Sequence, residues 1–256
     1  MNLLLSLPWW AILLLLLVVF VVVGQVTLFL ALKYCVNFKL SERFSIGEAA
    51  ISGVFALILA FVTIGVWESH SKMEDIVGKE ANALLNIYRT LDAYPSTFRD
   101  EERENIKIYL RAVVDEEWPR LERNEITSVA ISKIVAVLQP IVKYNPTNYR
   151  ELAAQSENLR LISQFRELHR NRLEGAKSLI GFYVWISLIA ISYIFILFLC
   201  FMHIQSRHMH KILLFLASSS LAWIFFILVL YDRPFAGPAA ISPEPFLLLL
   251  NTYFKY

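Results

Sequence analysis

The sequence predicts an all-α polytopic membrane protein with four transmembrane helices and a helical-bundle soluble domain between the second and third spans. Hydrophobic residues make up 57% of the 256-residue chain, and the mean hydropathy is +0.53. This is more apolar surface than a soluble core buries. Four apolar runs reach about 20 residues, the length at which a helix crosses the hydrocarbon core. The lipid bilayer is therefore the first partner that the sequence predicts.

The four apolar runs divide the chain into membrane and soluble parts. They lie at about Trp10–Leu32, Ile46–Trp67, Leu179–Met202 and Ile212–Tyr231. The first run is longer than the apolar core of a signal peptide and has no basic start, so we interpret it as a retained span. The predicted parts are a transmembrane hairpin at 1–67, a helical soluble domain at 68–178, a second hairpin at 179–231 and a Pro-rich C-terminal tail at 232–256.

Apolar residues recur at helical spacing through the soluble domain. Its first helix should continue the second span without a break as far as Tyr94 and Pro95, and a second helix should begin near Ser96 and end at Pro119. A third helix should bend or end at Pro140. The buried stripes of these helices are predicted to be Met73, Val77, Leu84, Tyr88 and Leu91; Ile106, Leu110, Val113 and Trp118; and Ile131, Ile134, Leu138 and Ile141.

The last helix of the domain should begin near Tyr149, after Asn145 and Pro146, and run directly into the third span. Its predicted buried stripe is Leu152, Gln155, Leu159, Ile162, Arg166, His169, Leu173 and Ala176.

Basic residues near the span ends predict the orientation, because they are preferentially retained on the cytoplasmic side. The loops after the first and third spans are more basic than the two ends of the chain. By this rule the helical domain lies outside the cytoplasm. The residues compared are Lys33, Lys39, Arg43, Arg207 and Lys211 in the loops, against Arg233 and Lys255 in the tail.

The segment after the fourth span carries Pro and Gly at spacings that a helix does not accommodate. We expect a sharp turn there, with Phe235 and Phe246 folded back on the membrane domain or on a neighbouring subunit. Asp232 and Arg233 form either an ion pair that completes the helix end or a clamp for an anionic ligand. The residues of this tail motif are Asp232, Arg233, Pro234, Phe235, Gly237, Pro243 and Phe246.

Three motifs resemble the bestrophin-like family of four-span bacterial membrane proteins, which is defined as a domain of unknown function. They are Glu80–Arg89, which starts Glu-Ala and ends Tyr-Arg; Tyr109–Pro119, which ends Glu-Glu-Trp-Pro; and the Asp-Arg-Pro-Phe-x-Gly sequence at Asp232–Gly237. The resemblance covers almost the whole chain. It implies a multi-pass protein of the bacterial inner (plasma) membrane. Through a more distant likeness to bestrophin anion channels, it also implies a homo-oligomer with chloride as a candidate anion.

Two polar clusters are candidates for a metal site. The acidic run Asp115–Glu117 suits a divalent cation, but we predict a solvated helix end because consecutive helical carboxylates diverge. His203, His208 and His210 lie near the third loop without a supporting carboxylate or thiolate, which favours a basic juxtamembrane loop. The sequence contains no catalytic motif. We therefore predict no catalytic residue, no cofactor, no metal site and no enzyme.

The second span carries two distinct stripes. Small residues on one face permit close approach of another helix. A second face carries three larger apolar residues and a glycine. These residues would line a symmetry axis as a constriction that excludes water, or would simply face lipid. The packing stripe is Ala49, Gly53, Ala56 and Ala60, and the candidate pore neck is Val54, Ile58, Phe61 and Gly65.

Two functions from different classes remain. One is an oligomeric, gated anion channel with the second span as its pore helix. The alternative is a non-conducting structural or sensory membrane protein that binds a partner through its helical domain. The family resemblance and the second span favour the channel, whereas the lack of charged residues in the central parts of the spans favours the alternative. A net charge of +2 gives no reason to expect a nucleic-acid partner.

Overall fold

The computed structural model describes residues 5, 7–34, 45–123, 125, 131–202 and 206–254, without the side chains of residues 45–51 and 131–132. This part of the chain is nearly all helical and contains no strand. It forms two compact units, Met1–Ser69 with Ser178–Asp232 (the membrane unit) and His70–Lys177 with Arg233–Tyr256 (the helical unit). The predicted all-α class is confirmed.

The α-helices follow one another along the chain with short connections. They are α1 (Trp9–Tyr34), α2 (Ser45–Thr90), α3 (Ser96–Ala112), α4 (Trp118–Glu122), α5 (Ile131–Lys143), α6 (Tyr149–Glu174), α7 (Phe182–Phe201), α8 (Arg207–Tyr231) and α9 (Glu244–Tyr253). A 3₁₀ turn, Leu91–Ala93, follows α2, and a π-helical turn, Val113–Glu117, joins α3 to α4.

The membrane unit is built from α1, the first part of α2, α7 and α8, which are long and apolar enough to cross a membrane. This agrees with the four predicted spans. Helix α1 lies along α8, where Gly24 permits a close approach, since a Cβ at Gly24 would lie 2.5 Å from Ser218 Oγ. The rings of Phe20 and Phe225 meet across these helices with centroids 4.8 Å apart.

The last helix of the soluble domain does not run into the third span, contrary to the prediction. Helix α6 ends at Glu174, and α7 begins at Phe182. Within the membrane unit, Asp232 holds the start of α7. Its Oδ1 accepts a hydrogen bond from Ile180 N at 2.7 Å, and Ser178 Oγ lies within 2.9 Å of both carboxylate oxygens. These bonds keep Ser178 and Ile180 out of a continuous helix.

The core of the helical unit contains the predicted stripes of α2, α3 and α5, as far as their side chains are described. The predicted helix end at Pro119 is wrong, and of the two alternatives at Pro140, a bend or an end, the structure excludes the end. Helix α5 continues through Pro140 to Lys143. In the last turn of α5, the Ile141 carbonyl accepts a hydrogen bond from Gln155 Nε2 at 2.7 Å. At Pro119, the helical path continues from α3 into α4 through the π-helical turn.

Helix α6 begins where Asn145 and Pro146 predict it. Asn148 caps it by accepting a hydrogen bond from Glu151 N at 2.9 Å, and Glu151 accepts in return from Thr147 N at 2.7 Å. Its buried face differs from the predicted stripe, because Leu152, Leu159 and Arg166 point outward. The buried residues of α6 are Glu151, Gln155, Asn158, Leu161, Ile162, Phe165, His169 and Arg172.

Candidate functional site

One face of the second span is fixed by contacts inside the membrane unit. Phe55, Leu59 and Val66 are buried on that face. The ring of Phe55 stacks on Phe195 of α7, with centroids 4.4 Å apart and planes 13° apart. These contacts set the rotation of α2 about its own axis, and so determine which residues point away from the other spans of the same chain.

Most of the candidate pore neck points away from those spans. Val54 and Phe61 are 59% and 66% exposed, Gly65 is exposed and Ile58 is half-buried. The packing stripe is also uncovered within the chain. Gly53, Ala56 and Ala60 are exposed, and the side chain of Ala49 lies outside the described residues.

The helical unit contains a buried charge cluster, made of Glu80, Tyr109, Glu117, His169 and Arg172. The Arg172 guanidinium lies between two carboxylates. Its Nε is 2.6 Å from Glu80 Oε2, and its Nη2 is 2.6 Å from Glu117 Oε1. All three charged side chains are almost completely buried. Two negative charges therefore share one positive charge in the core of this unit.

Tyr109 and His169 complete the cluster around Glu80. His169 Nδ1 is 3.0 Å and Tyr109 Oη 3.4 Å from Glu80 Oε1. Three buried atoms of the cluster have no hydrogen-bond partner among the described residues, namely Glu117 Oε2, His169 Nε2 and Arg172 Nη1. Both oxygens of Glu80 are thus paired, whereas Glu117, His169 and Arg172 each keep one polar atom unpaired within the described residues.

The neighbouring charges change the acidity of this cluster. Burial by itself raises the pKa of Glu80, but the positive charge of Arg172 and hydrogen bonds from His169 and Arg172 outweigh it and hold the pKa below its ordinary value. Burial and the adjacent Glu80 carboxylate raise the pKa of Tyr109 well above its ordinary value. Glu80 therefore carries its charge at neutral pH, and Tyr109 keeps its proton.

The π-helical turn carries Glu117 at its end and precedes Pro119, which lacks an N–H to donate to the preceding turn. Asp115 and Glu116 are exposed, as predicted for a solvated helix end, and Lys133 Nζ lies 2.5 Å from Glu116 Oε1. Glu117 is buried against Arg172. The prediction that the acidic run is a solvated helix end is therefore wrong for Glu117.

The tail from Arg233 onward belongs to the helical unit and packs on Trp118 of its own chain. Trp118 contacts Phe235 and Phe246 with centroids 5.3 and 5.8 Å away, and its Nε1 donates to the Ile241 carbonyl at 3.1 Å. Gly237 has a φ of 90°, a backbone conformation that favours glycine. Pro234 accepts a hydrogen bond from Ile241 N at 2.8 Å, and Pro243 precedes α9.

Arg172 links the tail to the charge cluster. Its guanidinium carbon lies 5.2 Å from the ring centre of Trp118 and 5.6 Å from that of Phe246. Residues from all three sequence motifs therefore meet in the core of the helical unit. Asp232, the first residue of the tail motif, instead serves the start of α7, and its neighbour Arg233 begins the segment that belongs to the helical unit.

Of the three histidines, His210 has a clear structural role. It is buried in the membrane unit, and its Nε2 lies 2.9 Å from the Leu199 carbonyl in the last turn of α7. His208 is exposed, and His203 lies outside the described residues.

The sequence reasoning missed Arg172, which joins the cluster together. Arg166, six residues or about 1.7 turns before Arg172, was predicted to lie on the buried face of α6 instead. A usable signal was present, because Glu80 lies within an apolar stripe and a buried carboxylate requires a cation. Spacing from Phe165 and His169 then points to Arg172.

The spans and their associated helical unit define the class as a four-span, all-α membrane protein. The sequence profile of the Bestrophin-like domain matches residues 48–246, more than half of the chain. The protein therefore belongs to the bestrophin-like family. A comparison with curated protein sequences gave no match.

Solved structures share this fold at low sequence identity. A variant of a bacterial bestrophin homologue from Klebsiella pneumoniae superposes with a TM-score of 0.70 at 11% identity, covering 93% of this chain and 98% of that chain. A second variant gives a TM-score of 0.68 at 12% identity, covering 93% and 97%. A structure described as a membrane protein gives the same values. At such identities the likeness concerns the fold alone.

Proposed function

We propose that the protein forms a homo-oligomeric anion channel of the bacterial inner membrane, with the second span nearest the symmetry axis and chloride as the anion. Membership of the bestrophin-like family, a channel fold and not an enzyme family, supports a channel. The fold shared with bacterial bestrophin homologues supports the same class.

The uncovered side of α2 is the observation that carries this proposal. Phe55 and Leu59 lie on the buried face of α2, and the residues on the opposite half of this helix are apolar and exposed. Successive residues of a helix are rotated by about 100°, which places the candidate pore neck and the packing stripe at opposite edges of this exposed side. Neighbouring copies would approach closely on the small residues, leaving the larger side chains free to face an axis.

The residues of the neck suggest a channel that is closed at rest. A constriction lined by Val54, Ile58 and Phe61 stays dry unless it widens, so the resting conductance should be low. Basic residues at the span ends, such as Arg207 and Lys211, would favour anions at the mouths. Salt would screen this preference over about 8–10 Å at ordinary ionic strength.

Chloride efflux from liposomes tests the proposal. The Ile58→Ala and Phe61→Ala double variant should conduct more than the natural protein, because a trimmed neck wets more easily. The matched control is Ile194→Ala with Phe215→Ala, which trims the same residue types at exposed positions of α7 and α8. Efflux at the level of empty liposomes for both the natural protein and the neck variant would refute the channel. An equal rise in chloride efflux with the control variant would refute the assignment of Ile58 and Phe61 to the constriction.

A further inference from the structure

The membrane unit contains a cavity between α1, α7 and α8 that the proposed channel does not use. Its volume is about 530 Å³, within the roughly 300–1,000 Å³ of small-molecule sites. The walls are mostly aliphatic and aromatic. Trp185 and Phe225 meet there with ring centroids 6.1 Å apart, and Val19 and Phe20 line the α1 side.

Two hydrogen-bond donors line this cavity without a partner. Ser192 Oγ and Trp185 Nε1 are buried, and neither makes a hydrogen bond to any part of the chain that the structure describes. Other span hydroxyls, such as those of Thr27 and Ser187, donate to the carbonyl four residues earlier. Unpaired polar groups are costly where water is excluded. The two donors therefore indicate a ligand that brings acceptors.

Not every unpaired hydroxyl of the spans belongs to this site. Ser218 and Ser219 of α8 also lack a partner within the described residues, but neither lines the cavity. Ser192 and Trp185 are distinguished because both lie on α7 and both line the same apolar space.

The chemistry of the lining restricts the ligand to an uncharged molecule. The residues that line the cavity include no charged side chain. A charged headgroup placed among the spans would therefore lack a partner and be strongly disfavoured. Trp185 and Ser192 are two helical turns apart, about 10 Å along α7. The ligand must therefore present hydrogen-bond acceptors at two depths in the membrane, next to a long apolar part of the same molecule.

We propose that the cavity binds diacylglycerol taken from the bilayer. Its hydroxyl and ester oxygens accept hydrogen bonds from Trp185 Nε1 and Ser192 Oγ, and an acyl chain covers Phe20 and Phe225. A phospholipid offers the same ester oxygens but carries a charged headgroup that no side chain of the cavity neutralises. The site is independent of conduction through α2.

Photolabelling in liposomes tests this site with the full-length protein. The probes are diacylglycerol and phosphatidylglycerol, each carrying a diazirine in the middle of one acyl chain, and labelled peptides are mapped by mass spectrometry. Diacylglycerol should label α1, α7 and α8 around the cavity, and unlabelled diacylglycerol should compete. Ser192→Ala should weaken that competition roughly fivefold, the worth of one neutral hydrogen bond.

Neighbouring valines of α1 provide a matched pair of variants. Val19→Phe fills the cavity and should abolish the competed labelling, whereas Val18→Phe, exposed but not lining the cavity, should leave it unchanged. Melting curves of both variants check folding. Equal labelling by both lipids, without competition and in every variant, would mean ordinary bilayer contact and overturn the proposal. Loss of labelling in both valine variants with unchanged melting would also overturn it.

Discussion

Glu80 and Arg172, 92 residues apart in the sequence, form a two-point ion pair in the core of the helical unit. Arg172 Nε lies 2.6 Å from Glu80 Oε2, and Arg172 Nη2 lies 3.2 Å from Glu80 Oε1. Because the pKa of Glu80 is lowered in the folded protein, this carboxylate stabilises the fold above its unfolded pKa of 4.5. That contribution is lost as the pH falls through the lowered pKa.

Loss of the cation should strongly destabilise the helical unit. Arg172→Met leaves the buried carboxylates of Glu80 and Glu117 without the cation that they share, so we expect a loss of about 3–5 kcal/mol in the free energy of unfolding. Denaturant unfolding of the detergent-solubilised protein measures it. Arg170→Met is the matched control, since Arg170 is exposed and its ion pair with exposed Glu174 is long, at 3.8 Å. Similar losses in both variants would contradict the structural importance of the cluster.

Glu102 should give the protein an opposite dependence on pH. Its side chain is buried, and burial raises its pKa to about 7 in the folded state from 4.5. The folded state therefore keeps this proton up to a higher pH than the unfolded state does. The free energy of unfolding then falls as the pH rises from 4.5 to about 7. Glu102→Gln should raise the melting temperature at about pH 8 and change it little at about pH 4.

Glu104→Gln is the control for this prediction, because Glu104 is exposed on the same helix and only pairs with Lys107 at 3.4 Å. A gain at both pH values for Glu102→Gln would show that its proton is not responsible.

Asp232 should be needed for the start of the third span. Asp232→Ala removes the acceptor for Ile180 N and the partner of Ser178 Oγ, which should cost about 1–3 kcal/mol. Asp232→Asn keeps one side-chain oxygen as an acceptor and should retain part of this stability. Thermal unfolding in detergent measures both. Equal stability of the alanine variant and the natural protein would refute this role.

The close contact between α1 and α8 should be sensitive to one methyl group. Gly24→Ala places a Cβ 2.5 Å from Ser218 Oγ, and such overpacking costs about 1–3 kcal/mol. Ser218→Ala removes the clashing atom, so the double variant should recover most of the loss. A double variant no more stable than Gly24→Ala alone would show that the clash lies elsewhere.

The loop charges make a prediction about membrane orientation. A cysteine introduced by Glu125→Cys should react with an impermeant maleimide in intact cells, and one introduced by Ser206→Cys should not. Both are made in a chain with Cys35→Ser and Cys200→Ser, which supplies the unlabelled background. Labelling of the Ser206 position alone would reverse the orientation and place the helical domain in the cytoplasm.

Local patterns in the sequence determined where most helices lie and, for α2, α3 and α5, which face is apolar. A membrane span requires a run of apolar residues, and a helix cap such as Asn148 acts within one turn, so both can be read without knowing the fold. The buried positions of Ile106, Leu110 and Val113 follow from helical spacing for the same reason.

Tertiary structure decided what the local pattern leaves open. The burial of Glu117 is favourable because it pairs with Arg172, and Arg172 also pairs with Glu80, so three distant parts of the chain must meet. The break before α7 depends on Asp232, which lies 52 residues after Ile180 in the sequence. The tail needed an apolar surface, and the fold supplied Trp118 within the same chain. Periodicity identifies an apolar face, but the partner of that face is fixed by long-range packing, because burial of charge depends on neighbours from other parts of the chain.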